Sequence, residues 1–403
     1  MKVLFVTWDG PQVTYLESLF LPIFARLANE GIQFQVLQFT WGDAARVALA
    51  RQACERQGIG YRAVAIWRRP RAVGALLSAL VGARQVVKVV RAESIDVVMP
   101  RSTLPALATL LALSTDRFRM MFDADGLPLD ERVEFAGQSP GGLIHRVLRD
   151  VEAQAVRRAD VVLTRSAKAS GVLHARAGAG TLKDKFYVVA NGRDAALFKP
   201  SEAVQAAQTR QELGLTMNSP LVVYAGSLGP QYCVEEMVKF FSMVLERRPD
   251  AHWLVMTGSP DIVQRLLERD PHIRANVTVK TVEPQEVPRF LACADLGLAL
   301  RRPSFSMQGV APIKLGEYLL CGVPVLATAD IGDTDGIGSV AGRLVTGADD
   351  SELSAAADWF VGTVLADRAA CRTSSRSAGL ARFSLEACTK TYQDAFMALG
   401  REL

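Results

Sequence analysis

The chain has 403 residues, 49% hydrophobic and 22% charged, more than one ordinary core accommodates, so two or three domains are predicted. This composition excludes a disordered or collagen-like chain. The formal charge of +4 conceals an asymmetry: residues 1–200 carry 27 Lys and Arg against 18 Asp and Glu, and the remainder carries 19 against 24, so a basic half precedes an acidic one.

Short apolar runs alternate with helical periodicity from the start, which predicts parallel sheets built from βαβ units. In the first half, strands are predicted at 3–7, 34–39, 61–66, 96–99, 119–123, 160–164 and 186–189, with helices at 15–29, 44–57 and 148–158. The opening run Val3-Leu4-Phe5-Val6-Thr7 reads as a buried strand rather than a signal peptide, so export is not expected. Leu197-Phe198-Lys199-Pro200 breaks the alternation, and a polar helix at 202–213 ending near Gly214 leads to a new strand at 221–225. Further strands are predicted at 253–257, 277–281, 296–300 and 324–327, and helices at 234–246, 261–269, 287–292 and 313–320. A last helix at 385–399 follows a Ser-rich stretch (Ser374, Ser375, Ser377).

The predicted class is α/β: a Rossmann-like domain at 1–198, a second at 199–382, and a C-terminal helix within 383–403 packing back towards the first. In such sheets ligands bind beyond the carboxyl ends of the strands, which places the expected site in an interdomain cleft. The loop Trp8-Asp9-Gly10-Pro11-Gln12 lacks G-x-G-x-x-G, which argues against a nicotinamide cofactor.

Six scattered cysteines (Cys54, Cys233, Cys293, Cys321, Cys371, Cys388) form no C-x-x-C pair, and a reducing, cytosolic compartment fits best. His145, His174, His252 and His272 share no spacing with one another or with a nearby nucleophile and read as structural or surface residues.

The most informative segment runs from Pro312 to Thr328. Pro312 suits the first turn of a helix, Gly322 its C-terminal cap, and 323–327 the next strand. Lys314 and Glu317 share one face of that helix. They read either as a solvated pair or, at a strand-end site, as a phosphate-binding lysine and a glutamate accepting hydrogen bonds from ribose hydroxyls.

The run P-x-K-x-x-E-Y-x-x-x-G-x-P-V resembles the donor-site motif of GT-B fold glycosyltransferases, particularly family 4 and its bacterial polysaccharide relatives. Three further segments agree in order: the strand Ala159–Ser166 (A-D-x-V-x-x-x-S), the hinge Val188–Asp194 with Phe198-Lys199-Pro200, and the strand and glycine loop 223–229. The resemblance implies that Glu317 binds the ribose and that Lys314 faces the diphosphate of a nucleotide-sugar donor, with Gly226, Ser227 and Arg301 beside it. Two departures stand out. Ser227 and Gln231 or Tyr232 occupy the places of a usual basic pair, leaving Lys314, Arg301 and Arg302 to meet the phosphates, and Gly309 breaks the E-x7-E pattern.

In the first half, Gly10 either lets the backbone approach a donor or acceptor or is a turn glycine. Asp9 and Glu17 read equally as solvated residues. Where the family has a His-Asp pair, this chain has Phe122-Asp123-Ala124-Asp125-Gly126, so Asp125 or Asp123 is expected to assist the acceptor hydroxyl, or to cap a turn. Asp123-Ala124-Asp125 is also a D-x-D, the metal motif of another glycosyltransferase fold, but the two-domain pattern favours metal-independent transfer without a cofactor. The acidic residues Asp130, Glu131 and Glu134 read as solvated.

Trp67-Arg68-Arg69-Pro70-Arg71 precedes a stretch apolar through Ala83 that then carries Arg84, Lys88 and Arg91. It reads as a sheet-packing helix or as a segment, 67–91, lying on an anionic membrane that holds the acceptor. The expected activity is retaining transfer of a sugar to a hydroxyl of a glycan or lipid-linked acceptor in bacterial polysaccharide biosynthesis, with no nucleic-acid partner, in the cytoplasm or at the inner face of the plasma membrane. A nucleotide-sugar epimerase of the same fold and a non-catalytic nucleotide-sugar-binding subunit remain the alternatives.

Overall fold

The computed structural model describes residues 1–67, 71–268, 270–337 and 341–400, without the side chains of 71–73. The chain forms two compact units: Met1–Ala190 with Gln308–Val310 and the segment from Cys388 onward, and Asn191–Met307 with Ala311–Ala387. The change of unit at Asn191 falls a few residues before the expected boundary at 198. Hydrogen bonds from Arg193 N to Phe383 O (2.8 Å) and from Leu385 N to Arg193 O (2.9 Å) hold residues 383–385 with the second unit.

The first unit is built on seven strands: β1 (Lys2–Asp9), β2 (Gln33–Thr40), β3 (Gly60–Ala65), β4 (Val97–Pro100), β5 (Arg119–Asp123), β6 (Val161–Thr164) and β7 (Phe186–Val188). Their order is β3-β2-β1-β4-β5-β6-β7 and every pairing is parallel. Val3 to Val6 are fully buried because helices cover both faces of the sheet, the environment that a continuous apolar run requires. On one face Leu4, Val6 and Phe39 pack with Val86 and Val89 of the helix Arg71–Glu93; on the other, Phe5 meets Phe20 and Phe24 at 4.7 and 5.1 Å between ring centroids.

The second unit repeats the plan with β8 (Leu221–Ala225), β9 (His252–Met256), β10 (Val277–Lys280), β11 (Leu296–Ala299), β12 (Val325–Thr328) and β13 (Gly342–Val345), ordered β10-β9-β8-β11-β12-β13, again all parallel. Phe240, Phe241, Trp253, Leu353 and Phe360 fill its core, each contributing about 1.5–3 kcal/mol by burial. The two parallel Rossmann-like sheets agree with the expected GT-B architecture.

Several local expectations are revised. The Ser-rich stretch lies inside a helix, Arg368–Phe383, whose N-cap Asp367 accepts from Ala370 N at 2.9 Å. The edge strand β13, Gly342–Val345, has no counterpart among the predicted strands, its apolar run being interrupted by Arg343. The helix expected at 15–29 begins as a π-turn, Leu16–Phe20, before continuing as Leu21–Ala28. Arg68, Arg69 and Pro70 of the basic cluster lie outside the described residues, as does the Arg71 side chain.

Candidate active site

In each sheet the strand order reverses once: between β1 and β4 in the first, and between β8 and β11 in the second. The carboxyl ends of those strand pairs are the switch points at which open α/β sheets bind ligands.

In the second unit β8 ends at Ala225, and Gly226 follows with φ +134, a conformation that side chains disfavour. Its N–H donates to Met256 O at 2.9 Å. Beyond β11, Arg301 donates from Nη2 to Tyr232 Oη at 3.0 Å, and its guanidinium lies 4.7 Å from the centre of the same ring. Pro312, in extended conformation, immediately precedes the helix Ile313–Leu320. Tyr318 of that helix accepts from Ala225 N (2.9 Å) and donates to Leu298 O (3.3 Å), tying the helix to both strands of the switch point.

Lys314 lies in the first turn and is only 8% exposed. Its Nζ sits 3.8 Å from the Tyr224 ring centre and 4.4 Å from that of Tyr232, and finds no hydrogen-bond acceptor among the described residues. A Cβ on Gly226 would come 3.3 Å from this ammonium. Burial holds Lys314 well below the usual lysine range; Arg301 pushes the same way and Glu317 opposes. Tyr224 Oη donates to Ser227 O at 2.6 Å, fixing the glycine loop against the ring, while the Ser227 side chain is exposed. An ammonium buried without an acceptor among the described residues, aromatic faces on two sides and the Arg301 guanidinium nearby together suit an anion.

Glu317 pairs with Arg193 rather than with Lys314: Arg193 Nη2 lies 2.8 Å from Glu317 Oε1. Burial raises the Glu317 carboxyl, against the pull of Arg193. Asn191 of the same N-G-R-D stretch donates to Ala311 O at 2.6 Å, just ahead of the helix. The solvated-pair reading of Lys314 and Glu317 is therefore replaced by a buried lysine set between two rings and a partly buried glutamate paired with Arg193. Arg302 is exposed, with its backbone on Gln231 O at 3.0 Å.

Gly309, where a glutamate would complete E-x7-E, belongs to the first unit. A Cβ there would lie 2.8 Å from both Leu127 Cγ and Leu127 N, so any side chain is excluded without rearrangement. Ser166 Oγ donates to Gln308 O at 2.5 Å and holds the segment in place.

At the switch point of the first unit, Asp9 at the end of β1 is buried and accepts from Thr7 Oγ1 (2.7 Å) and Gln38 Nε2 (3.1 Å), so it is not a solvated loop residue. Glu17 likewise is paired, with Arg46. Gly10 lies under Trp41, whose indole would come 2.6 Å from an added Cβ. Arg101, after β4, reaches Asp125 Oδ2 at 2.7 Å and Asp9 Oδ1 at 3.7 Å, and stacks over Tyr15 and Phe20. Asp123 is completely buried, with Arg165 Nη2 at 2.9 and 2.6 Å from its two oxygens, which removes it as a group that touches substrate. Asp125 keeps partial exposure at φ +53. Both carboxylates of the D-x-D thus face arginines, and among the described residues no three His, Cys, Asp or Glu side chains group as a metal site. Asp130 is bound by Arg149 and Arg176, all four contacts within 3.1 Å, so it is a network member rather than solvated. Sequence reasoning gave Tyr224, Arg193 and Arg101 no part in the site and named Tyr232 only as a place where a basic residue would stand; the positional signal was the aromatic pair flanking the glycine loop.

Residues 219–362 match the family described as Glycosyl transferases group 1. A GDP-mannose-dependent monoacylated alpha-(1-6)-phosphatidylinositol monomannoside mannosyltransferase of Corynebacterium glutamicum is 28% identical over 169 residues, 41% of this chain and 44% of that protein. A D-inositol 3-phosphate glycosyltransferase of Nocardia farcinica is 28% identical over 248 residues, 59% of this chain and 52% of that protein. The chain thus spans about half the length of these curated relatives. The crystal structure of Anabaena HepE in complex with UDP-glucose superimposes with a TM-score of 0.72 at 18% identity, covering 100% of both chains. The fold is therefore the GT-B fold, and residues 219–362 have the sequence of the family described as Glycosyl transferases group 1.

Proposed function

We propose that the chain transfers a sugar from a nucleoside-diphosphate sugar to a hydroxyl of a glycan or lipid-linked acceptor, with retention of configuration and without a metal, in bacterial cell-envelope polysaccharide synthesis. The observation that carries this reading is Lys314: an ammonium buried beside Gly226 with no acceptor among the described residues, three residues from a carboxylate on the same helix. A diphosphate supplies the missing anion, and Arg301 adds a second positive charge. As the sugar–phosphate bond breaks, these cations stabilise the leaving diphosphate, whose oxygen takes the proton of the incoming hydroxyl. Asp125 orients that hydroxyl, and no protein nucleophile is required.

A relative named for GDP-mannose and a neighbour crystallised with UDP-glucose make UDP and GDP the first diphosphates to test. A phosphatidylinositol mannoside in a relative's name is consistent with a lipid-linked acceptor. No helix among the described residues is long and apolar enough to cross a membrane. The helix Arg71–Glu93 nevertheless leaves Leu77, Leu80 and Val81 exposed, with exposed Trp67 nearby and Arg84 and Lys88 following on the same face. Apolar and basic groups so arranged suit a peripheral contact with anionic lipid on the cytoplasmic side.

The test is thermal-shift screening with UDP, GDP and TDP, then turnover of the matching sugars in EDTA with cell-envelope lipid extract. Transfer predicts diphosphate release that depends on the extract. Release or epimerisation of the sugar without acceptor supports the epimerase, and binding without any turnover supports the non-catalytic subunit.

A further inference from the structure

Arg193 lies far in sequence from Glu317, yet the two are an ion pair, 16% and 14% exposed. The arginine is held on three sides. Its guanidinium carbon lies 4.9 Å from the centre of the Phe198 ring. Its backbone N–H and C=O bond Phe383 and Leu385 at 2.8 and 2.9 Å, a parallel bridge with Ser384. Phe383 also packs on Gly316, the residue before Glu317, where a Cβ would come 2.8 Å from the Phe383 Cβ. One residue therefore braces the backbones on both sides of the pair. A glutamate side chain otherwise samples several rotamers, and fixing one costs conformational entropy at the moment of binding.

We infer that Arg193 is a positioning residue that presents the Glu317 carboxylate to the ribose hydroxyls of the donor. The inference rests on the reading of Glu317 as the ribose ligand. It assigns Arg193 no contact with the nucleotide: its contribution is exerted through Oε1 of Glu317. Arg193 is also the largest influence opposing the rise that burial imposes on the Glu317 carboxyl, so it favours the ionised acceptor form.

The experiment is calorimetric titration of the full chain with whichever of UDP and GDP binds, and with its 2′,3′-dideoxy counterpart. The wild type is expected to prefer the ribonucleotide by about tenfold or more, the range for hydrogen bonds to a charged group. Glu317→Ala is expected to abolish that preference. Arg193→Met is expected to weaken the ribonucleotide about tenfold, leave the dideoxynucleotide unchanged, and be partly rescued by Arg193→Lys. Arg193→Met retaining full preference, or losing affinity for both nucleotides equally, overturns the positioning role. If Arg193→Met does not fold, Arg193→Lys keeping wild-type preference and affinity despite its displaced charge overturns the role in its place, and a reduced preference supports it. A wild type without preference, or Glu317→Ala that keeps it, instead overturns the ribose reading and this inference with it.

Discussion

A lysine ammonium buried against two phenol rings, with no acceptor for its protons among the described residues, is unfavourable in a protein without ligand. Lys314→Met is expected to stabilise the unliganded chain at pH 7 by about 1–3 kcal/mol, the cost of burying an unpaired polar group, while weakening diphosphate binding about a hundredfold. The sign with pH follows from the depressed lysine. The unfolded chain binds the proton more tightly, so the penalty is full below the folded-state value and disappears as pH rises towards the ordinary 10.5. The advantage of Lys314→Met in denaturant midpoint should therefore shrink from neutral to alkaline pH. Asp125→Asn addresses the other unit: turnover is expected to fall about a hundredfold with diphosphate affinity unchanged, as measured by steady-state kinetics and titration. Arg165→Met, by contrast, strands the buried Asp123 charge, and a loss of about 3–5 kcal/mol in urea unfolding is expected.

Among the elements, the helix Ile313–Leu320 is positioned by its neighbours rather than by its own sequence. Tyr318 pins it to β8 and β11, Asn191 holds the chain before it, and Phe383 packs at Gly316. The helix Arg71–Glu93 has two unlike faces. Its buried face packs on Phe39 and Leu4, as a sheet-packing helix must, and its outer face shows the apolar-then-basic stripe. Leu80→Asp with Val81→Asp is expected to cut co-sedimentation with phosphatidylglycerol vesicles at low salt by about tenfold without lowering the melting temperature. A wild type that fails to sediment at all removes the membrane contact from the proposal.

At the scale of the whole molecule, the parallel order of both sheets was legible because it rests on local signals. Continuous apolar runs such as Val3–Val6 and the run of β8 mark strands buried on two faces, and the amphipathic stretches between them mark crossovers. That Lys314 and Glu317 share one short helix was likewise legible from spacing, whereas the donor-site roles were only what the family resemblance implies. The partners that give those residues their properties were not legible. Arg301 and Tyr232 are 69 positions apart, and Arg165 and Asp123 are 42 apart. No local periodicity encodes such pairs; packing of separate βαβ units brings them together. The absence of a glutamate at Gly309 read as a broken motif, whereas the fold shows a position with no room for a Cβ. What the sequence alone determined was the class, the succession of strands from β1 to β12 and the helix bearing the two charged candidates, all consequences of short-range pattern. Only the tertiary structure decided which charges are paired, buried or left without an acceptor, because burial and long-range contact set the electrostatics of each group.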